Sequence, residues 1–358
     1  MTIRALAGTM GSMSQGVRFA VIGYGGSGRG IHARLIREAG SRVTAVVVRS
    51  PERRAQALAD WPDAQVYSSI ENLISSGGGF DAVVVASPSG NHVDHATQLI
   101  NARIPFVIDK PLAPTADESA LVLAHAREKR VPFTVFQNRR WDPEQLTLKS
   151  LIDAGDLGDV HTFERHWERW RPVPQQRWKE LDPVAGGLLL DLGTHLVDSA
   201  TQLFGRVQSV YADLRCLTTP VEDDVFLTLH HAPQGDKPGV ISRLWGGALV
   251  GAPGPRTRVL GSKGAYLVTS FEGEASPFTV LDEAATADTE GWLVTGDERR
   301  LVTRAPGGHV DFYHAVVAWL TARGPIPVHP ADAVRTAEVL DAARISSREG
   351  RCVSVRAD

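Results

Sequence analysis

Cysteine is nearly absent: a chain of 358 residues has two, Cys216 and Cys352. They form neither a disulfide framework nor the paired spacing of a zinc site, so a reducing, cytoplasmic setting without a bound metal is expected. No apolar run approaches the ~18 residues that a membrane span needs. The stretch Met1 to Gly16 has scattered apolar residues but no continuous apolar core of the secretory kind, and is expected to be a disordered lead-in. Charge of one sign is lacking too: 38 Lys and Arg stand against 41 Asp and Glu, a net charge of -3. Without a broad basic patch, nucleic acid is not an expected partner. What remains is an ordinary composition, 43% hydrophobic, in a chain too long for one typical domain and suited to two, each able to bury its own core.

The first positive signal is Gly23-Tyr24-Gly25-Gly26-Ser27-Gly28, directly after the apolar run Val17 to Ile22 and before a helical stretch, Ile31 to Ala39, closed by Gly40. Strand, glycine turn and helix are the context that a GxGxxG pattern requires. Gly23 makes the tight turn, Gly25 lets backbone approach a pyrophosphate, and Gly28 permits close helix packing, with the pyrophosphate against the helix N-terminus. A second strand, Val43 to Val48, ends in Arg49-Ser50 with no acid to hold a ribose 2'-hydroxyl. NADP is therefore expected over NAD, with Arg49 and Ser50 beside the 2'-phosphate; Arg53 and Arg54 read as solvated charges at a helix start.

Strands and helices then alternate: Asp81 to Ala86, a helix from Asn91 to Asn101, Pro105 to Ile108, a helix from Thr115 to Lys129, and Pro132 to Phe136. That order predicts an α/β doubly wound parallel sheet of the Rossmann type over 17–138, with ligands beyond the carboxyl ends of the strands. Ser87, Asp109, Lys110 and Gln137 all fall at such ends. Over 139–358 a helix, Pro143 to Ala154, precedes segments Val160 to His166, Val207 to Leu217, Val225 to His231 and Val240 to Trp245. These predict an α+β domain on a mostly antiparallel, open sheet, whose free face suits a homodimer or homotetramer. Helices return at Val310 to Ala322 and Pro330 to Ser347, the second free to pack back on the first domain.

Three polar residues suggest proton handling. Lys110, fixed by Pro111 at a strand end, points to the crevice where a nicotinamide belongs, although a lysine at a loop start is more often a surface group. Asp191 and His195 lie four apart on an expected helix, Leu188 to Phe204, hence on one face, where a carboxylate can orient an imidazole for proton transfer. Alone, the pair equally reads as a helix-surface ion pair. The cluster Trp167, Arg169, Trp170, Arg171 and Trp178 suits either a polyol ring or a domain interface.

Gly23 to Gly28, Ala86-Ser87-Pro88 with His92, Asp109-Lys110-Pro111, and Gly186-Gly187 followed by Asp191-Leu192-Gly193-Thr194-His195 together resemble the Gfo/Idh/MocA family of NAD(P)-dependent sugar and inositol oxidoreductases, over Val17 to Val355. Gln137 to Asp142, Glu168 to Pro172, Arg177-Trp178-Lys179-Glu180 and Glu222 to Phe226 are similar to the branch that includes NADP-dependent scyllo-inositol dehydrogenases. The resemblance implies a lysine, Lys110, contacting both cofactor and reacting hydroxyl, a general acid/base, His195, and a positioning carboxylate, Asp191. Together with the readings above, cofactor contacts are expected from Gly23 to Gly28, Arg49, Ser50, Ser87, His92, Asp109, Lys110 and Asn138, and substrate contacts from Lys110, Arg169, Trp178, Asp191 and His195. Asp109 stands where the family more often has glutamate, and Ser89 where it often has asparagine. The expected activity is hydride exchange between NADP, or NAD, and a secondary alcohol of a cyclic polyol or sugar. A glycosidase or sugar–sugar oxidoreductase that recycles its nicotinamide, and an idle NADP-binding sensor, remain as alternatives.

Overall fold

A computed structural model describes residues 16–269 and 285–356; the lead-in expected over 1–16 falls, except for Gly16, outside the described residues. β1 (Arg18–Ile22), β2 (Arg42–Val47), β3 (Gln65–Tyr67), β4 (Ala82–Val85), β5 (Phe106–Ile108) and β6 (Phe133–Val135) form a parallel sheet in the order β3-β2-β1-β4-β5-β6. Its strands are continuous apolar runs because helices cover both faces: Ala82 to Val85 are fully buried. Strand order reverses between β1 and β4, so the crevice opens at their carboxyl ends, where the glycine loop lies. β3, with only three residues and no buried position, carries too weak a pattern to be read from the sequence.

The second sheet joins β7 (Val160–Glu168), β8 (Val207–Arg215), β9 (Asp224–His231), β10 (Ile241–Gly247), β11 (Thr257–Gly261), β12 (Ala265–Val268), β13 (Thr289–Thr295), β14 (Glu298–Thr303) and β15 (Val353–Ser354) in the order β14-β13-β12-β11-β7-β10-β9-β8-β15. All its pairs are antiparallel except β10 with β7. Helices Thr194–Phe204 and Pro330–Glu349 cover one face, burying Leu196, Val197, Ala200, Leu340 and Ala343 against it.

The chain crosses back to the first sheet before it ends. Phe312, Tyr313 and Val316 of helix His309–Leu320 belong to the first core, and Asp341 of the last helix accepts the Ala116 N–H at 2.7 Å. Arg140 ties these pieces together, donating to Asp198 at 2.9 and 2.6 Å and to Asp332 at 3.0 Å. Burial pushes the Asp198 carboxyl up, against the pull of Arg140. Arg140→Met should strand that buried acid and cost about 3 kcal/mol, read as a lower urea midpoint with an unchanged slope; an unchanged midpoint would show that the bridge contributes nothing.

Candidate active site

Each half of the site begins where a helix starts with a widened, π-type turn, a device common at functional positions. The first is Gly28–Ala33, after the glycine loop. Gly23 has φ +88°, and a Cβ there would stand 2.8 Å from the Ala86 carbonyl oxygen. A Cβ at Gly28 would lie 1.9 Å from the Gly23 carbonyl oxygen, while one at Gly26 would meet nothing within 4 Å. The loop is thus closed on the protein side and bare on the other, the shape that a pyrophosphate cradle requires. Tyr24 contributes only backbone, since its buried phenol donates to Asp60 at 3.0 Å.

The second turn, Leu189–Gly193, leads into helix Thr194–Phe204. Thr194 Oγ1 donates to the Leu190 carbonyl at 2.8 Å, so a side chain sits in the ladder there. The wider turn changes the expected geometry of Asp191 and His195. Among the described residues Asp191 makes no hydrogen bond to His195, whose Nδ1 is buried without a partner. The imidazole instead lies against Trp167, ring centroids 5.8 Å apart. The orienting carboxylate read from the i, i+4 spacing is therefore corrected: Asp191 is held by lysines. Lys110 Nζ donates to the Asp191 carbonyl at 2.6 Å and to its Oδ1 at 3.1 Å, and Lys179 Nζ donates to the same Oδ1 at 2.5 Å.

These groups share one cavity of about 720 Å³, within the roughly 300–1,000 Å³ of ordinary ligand clefts. It runs from Gly23, Gly25, Gly26 and Ser27 past Ser87, His92, Asp109 and Lys110 to Asn138, Arg169, Trp178, Asp191 and His195. Most site residues expected from both halves are thereby brought together; Tyr24, Gly28, Arg49 and Ser50 do not line the cavity. Arg49 is exposed and Ser50 caps helix Pro51–Asp60. Arg53 does line it, its guanidinium 3.7 Å from the Cβ position of Gly25, while it stays exposed as its reading as a solvated charge expects.

His92 is buried between the carbonyl oxygens of Pro111 (2.8 Å) and Ser87 (3.0 Å), and so braces the ends of β4 and β5. Asp109 accepts from the Ser27 hydroxyl at 2.5 Å and from the Lys110 N–H at 2.7 Å, with His32 Nε2 3.5 Å away. Burial works against its carboxylate, but His32, Lys110 and Ser27 together hold its pKa well below the usual range. Burial also works against Asp191, and Lys110 and Lys179 overcome it. Lys110, its side chain 11% exposed, is pushed below an ordinary lysine by burial, against the pull of Asp191. His195 is lowered by burial first and by Lys110 and Arg139 next, all of which favour the neutral ring.

Of the aromatic and arginine cluster, Trp167 and Arg169 line the cavity and Trp170 is 59% exposed, as alternation along an extended segment requires. The guanidinium groups of Arg139, Arg169 and Arg256 lie 4.7, 5.1 and 5.0 Å from the Trp167 ring. Lys179, Arg53 and Arg139 also line the cavity; Lys179 and Arg139 stand inside the Arg-Trp-Lys-Glu and Gln137 to Asp142 segments, but nothing in a spacing shows that a short helix folds over Asp191. Among the described residues, no group of three or more His, Cys, Asp or Glu is placed to hold a metal ion, and no helix is long and apolar enough to cross a membrane.

Residues 17–137 match the Gfo/Idh/MocA oxidoreductase family's NAD-binding Rossmann fold, and residues 149–355 its C-terminal alpha/beta domain. The chain is 29% identical over 350 residues, 94% of its length and 95% of the relative's, to scyllo-inositol 2-dehydrogenase (NADP(+)) IolW of Bacillus subtilis. It is 31% identical over 342 residues, 92% of its length and 96% of the relative's, to the uncharacterized oxidoreductase YdgJ of Escherichia coli. The solved structure of yvaA from Bacillus subtilis superposes with a TM-score of 0.83 at 27% identity, covering 96% of this chain and 100% of that one. Glycine loop, strand-end lysine and both matched domains lead to one statement: the chain belongs to the Gfo/Idh/MocA family of NAD(P)-dependent oxidoreductases.

Proposed function

We propose that the enzyme prefers NADP and exchanges a hydride between the nicotinamide and a secondary alcohol of a cyclic polyol or sugar, inositol or pyranose in type. The observation that carries this reading is the meeting of Lys110, from the end of β5, with Asp191 and His195, from the turn and helix that follow Gly187, along the cavity that begins at the glycine loop. The loop from Gly23 to Gly28 would hold the pyrophosphate, Ser87, Asp109 and Asn138 the nicotinamide half. When bound, the cofactor accepts or returns the hydride at its ring. In the oxidising direction neutral His195 takes the hydroxyl proton, Lys110 holds that oxygen and stabilises the charge developing on it, and Asp191 fixes Lys110 and a neighbouring hydroxyl. The 29% identity to an NADP-dependent scyllo-inositol dehydrogenase supports a cyclic polyol.

Arg49, Ser50 and Arg53 stand at the N-terminus of helix Pro51–Asp60, where guanidinium charge would meet a 2'-phosphate; Pro51 has no N–H, and those of Arg53 and Arg54 donate to Ser50. Arg53→Ala is expected to weaken NADPH about 10- to 100-fold and NADH far less, by fluorescence titration; equal losses for both would remove Arg53 from this role. The reading as a whole is tested by screening inositols and pyranoses with NAD and NADP in parallel. Turnover of a cyclic polyol, faster with NADP, is expected, and a screen that never changes reduced-cofactor absorbance would count against it. The half-exposed face of the second sheet, with the row Phe226, Trp245 and His166, suits closure by a second copy of the chain in the cytoplasm.

A further inference from the structure

Between β7 and the catalytic helix the chain makes a strap whose short helix, Trp178–Leu181, carries a charge that the proposed reaction leaves unused. Lys179 Nζ lies 2.5 Å from Asp191 Oδ1, the oxygen that Lys110 contacts at 3.1 Å. One carboxylate needs only one counter-ion. The chain is also sparing with this residue: of its 38 basic side chains only six are lysines, and two of those meet here.

The backbone fixes the arrangement. The Gly187 N–H donates to the Lys179 carbonyl at 2.8 Å. A Cβ at Gly186 would lie 2.5 Å from the Asp182 carbonyl oxygen and 2.8 Å from that of Lys179. Gly187 has φ +90°, and a Cβ there would run into the Glu222 carboxylate at 2.1 Å. The glycine pair therefore lets the strap lie directly on the turn that presents Asp191, and Lys179 is delivered by its main chain rather than drawn in by charge alone.

We propose that Lys179 is a positioning residue of the reaction: by engaging the Asp191 carboxylate it loosens that group's hold on Lys110 and keeps Lys110 Nζ free to donate to the substrate oxygen. Its meaning for turnover rests on the hydride-transfer reading above; the electrostatic coupling does not. The charged and titratable groups around Lys110 come from every wall of the cavity. They are Asp109 on its own strand end, His92 beneath Pro111, Arg139 after β6, Asp191 and His195 on the catalytic helix, and Lys179 on the strap. Burial is the largest influence lowering Lys110, Asp191 opposes it, and Lys179 adds to the lowering. With contacts of 3.1 and 2.5 Å to one oxygen, the two ammonium nitrogens lie within about 5.6 Å of each other, where like charges at an effective dielectric constant of about 20 shift a titration by roughly two pH units.

The test is an NMR titration of the full chain carrying 13C-labelled lysine, in which the Lys110 signal is assigned by its loss in Lys110→Arg. Removing the neighbouring charge in Lys179→Met or Lys179→Gln should raise the Lys110 midpoint by about one pH unit or more, while Lys179→Arg, which keeps the charge, should leave it near the wild-type value. An unmoved midpoint in both neutral variants, or an equal rise in Lys179→Arg, overturns the inference. The pH profile of kcat/KM should move with the midpoint. A protein that turns over no polyol yet shows the Lys110 shift would remove the hydride-transfer reading and leave the coupling standing.

Discussion

Lys110→Met is expected to lose about 1,000-fold or more in kcat, some 4 kcal/mol of transition-state stabilisation, while the affinity for NADPH changes by less than about fivefold. The reason lies in where the amine sits. Its side chain is 11% exposed and its Nζ is already placed by the Asp191 carbonyl and carboxylate, so it meets a developing alkoxide without reorganisation. The cofactor's phosphates are held elsewhere, at the glycine loop, and should not notice the change. Lys110→Arg should not rescue, because a planar guanidinium cannot take the same two bonds. Steady-state kinetics beside a fluorescence titration separates the two effects, and equal losses in turnover and cofactor affinity would contradict the assigned role.

Gly28→Ala should lose both stability and cofactor. A methyl group 1.9 Å from the Gly23 carbonyl oxygen cannot be accommodated by a side-chain movement, so the turn must open, at a cost of about 1–3 kcal/mol and with NADPH binding reduced 100-fold or more. Gly25→Ala separates the two consequences. Its Cβ would meet only the Arg53 guanidinium, at 3.7 to 3.8 Å, so the melting temperature should hold while NADPH affinity falls, because backbone can no longer approach a pyrophosphate. Calorimetry with and without NADPH reads both. A Gly28→Ala protein that binds NADPH as the wild type does would show that the loop is not the cradle.

The sequence reading reached furthest where a backbone requirement leaves a residue signature. The glycine turn needs residues without a Cβ, the strands of a doubly covered sheet need continuous apolar runs, and a strand-end lysine followed by proline has a fixed place in such a sheet. It reached least where tertiary contact decides. β3, β13 and β14 have at most one buried position each, and β11 and β12, although they alternate, are only five and four residues long. The i, i+4 spacing places Asp191 and His195 on one face of a regular helix, but the π-type turn at Leu189–Gly193 breaks that register, and Asp191 faces two lysines instead. Arg49 and Arg53 cannot be told apart by distance from the glycine loop; only the direction of helix Pro51–Asp60 sets Arg53 against Gly25. Lys179 needed the strap's path, which no spacing encodes.

The central claim, that Lys110 and His195 serve a hydride passing between a polyol carbon and nicotinamide, is tested most directly by following the hydride itself. The enzyme is incubated with NADP and cyclic polyols carrying deuterium at their ring carbons, and the reduced cofactor is read by NMR and mass. Deuterium at C4 of the nicotinamide from the wild type, and none from Lys110→Met, is the predicted result. Oxidised polyol with unlabelled reduced cofactor, or label lost to water, would contradict it.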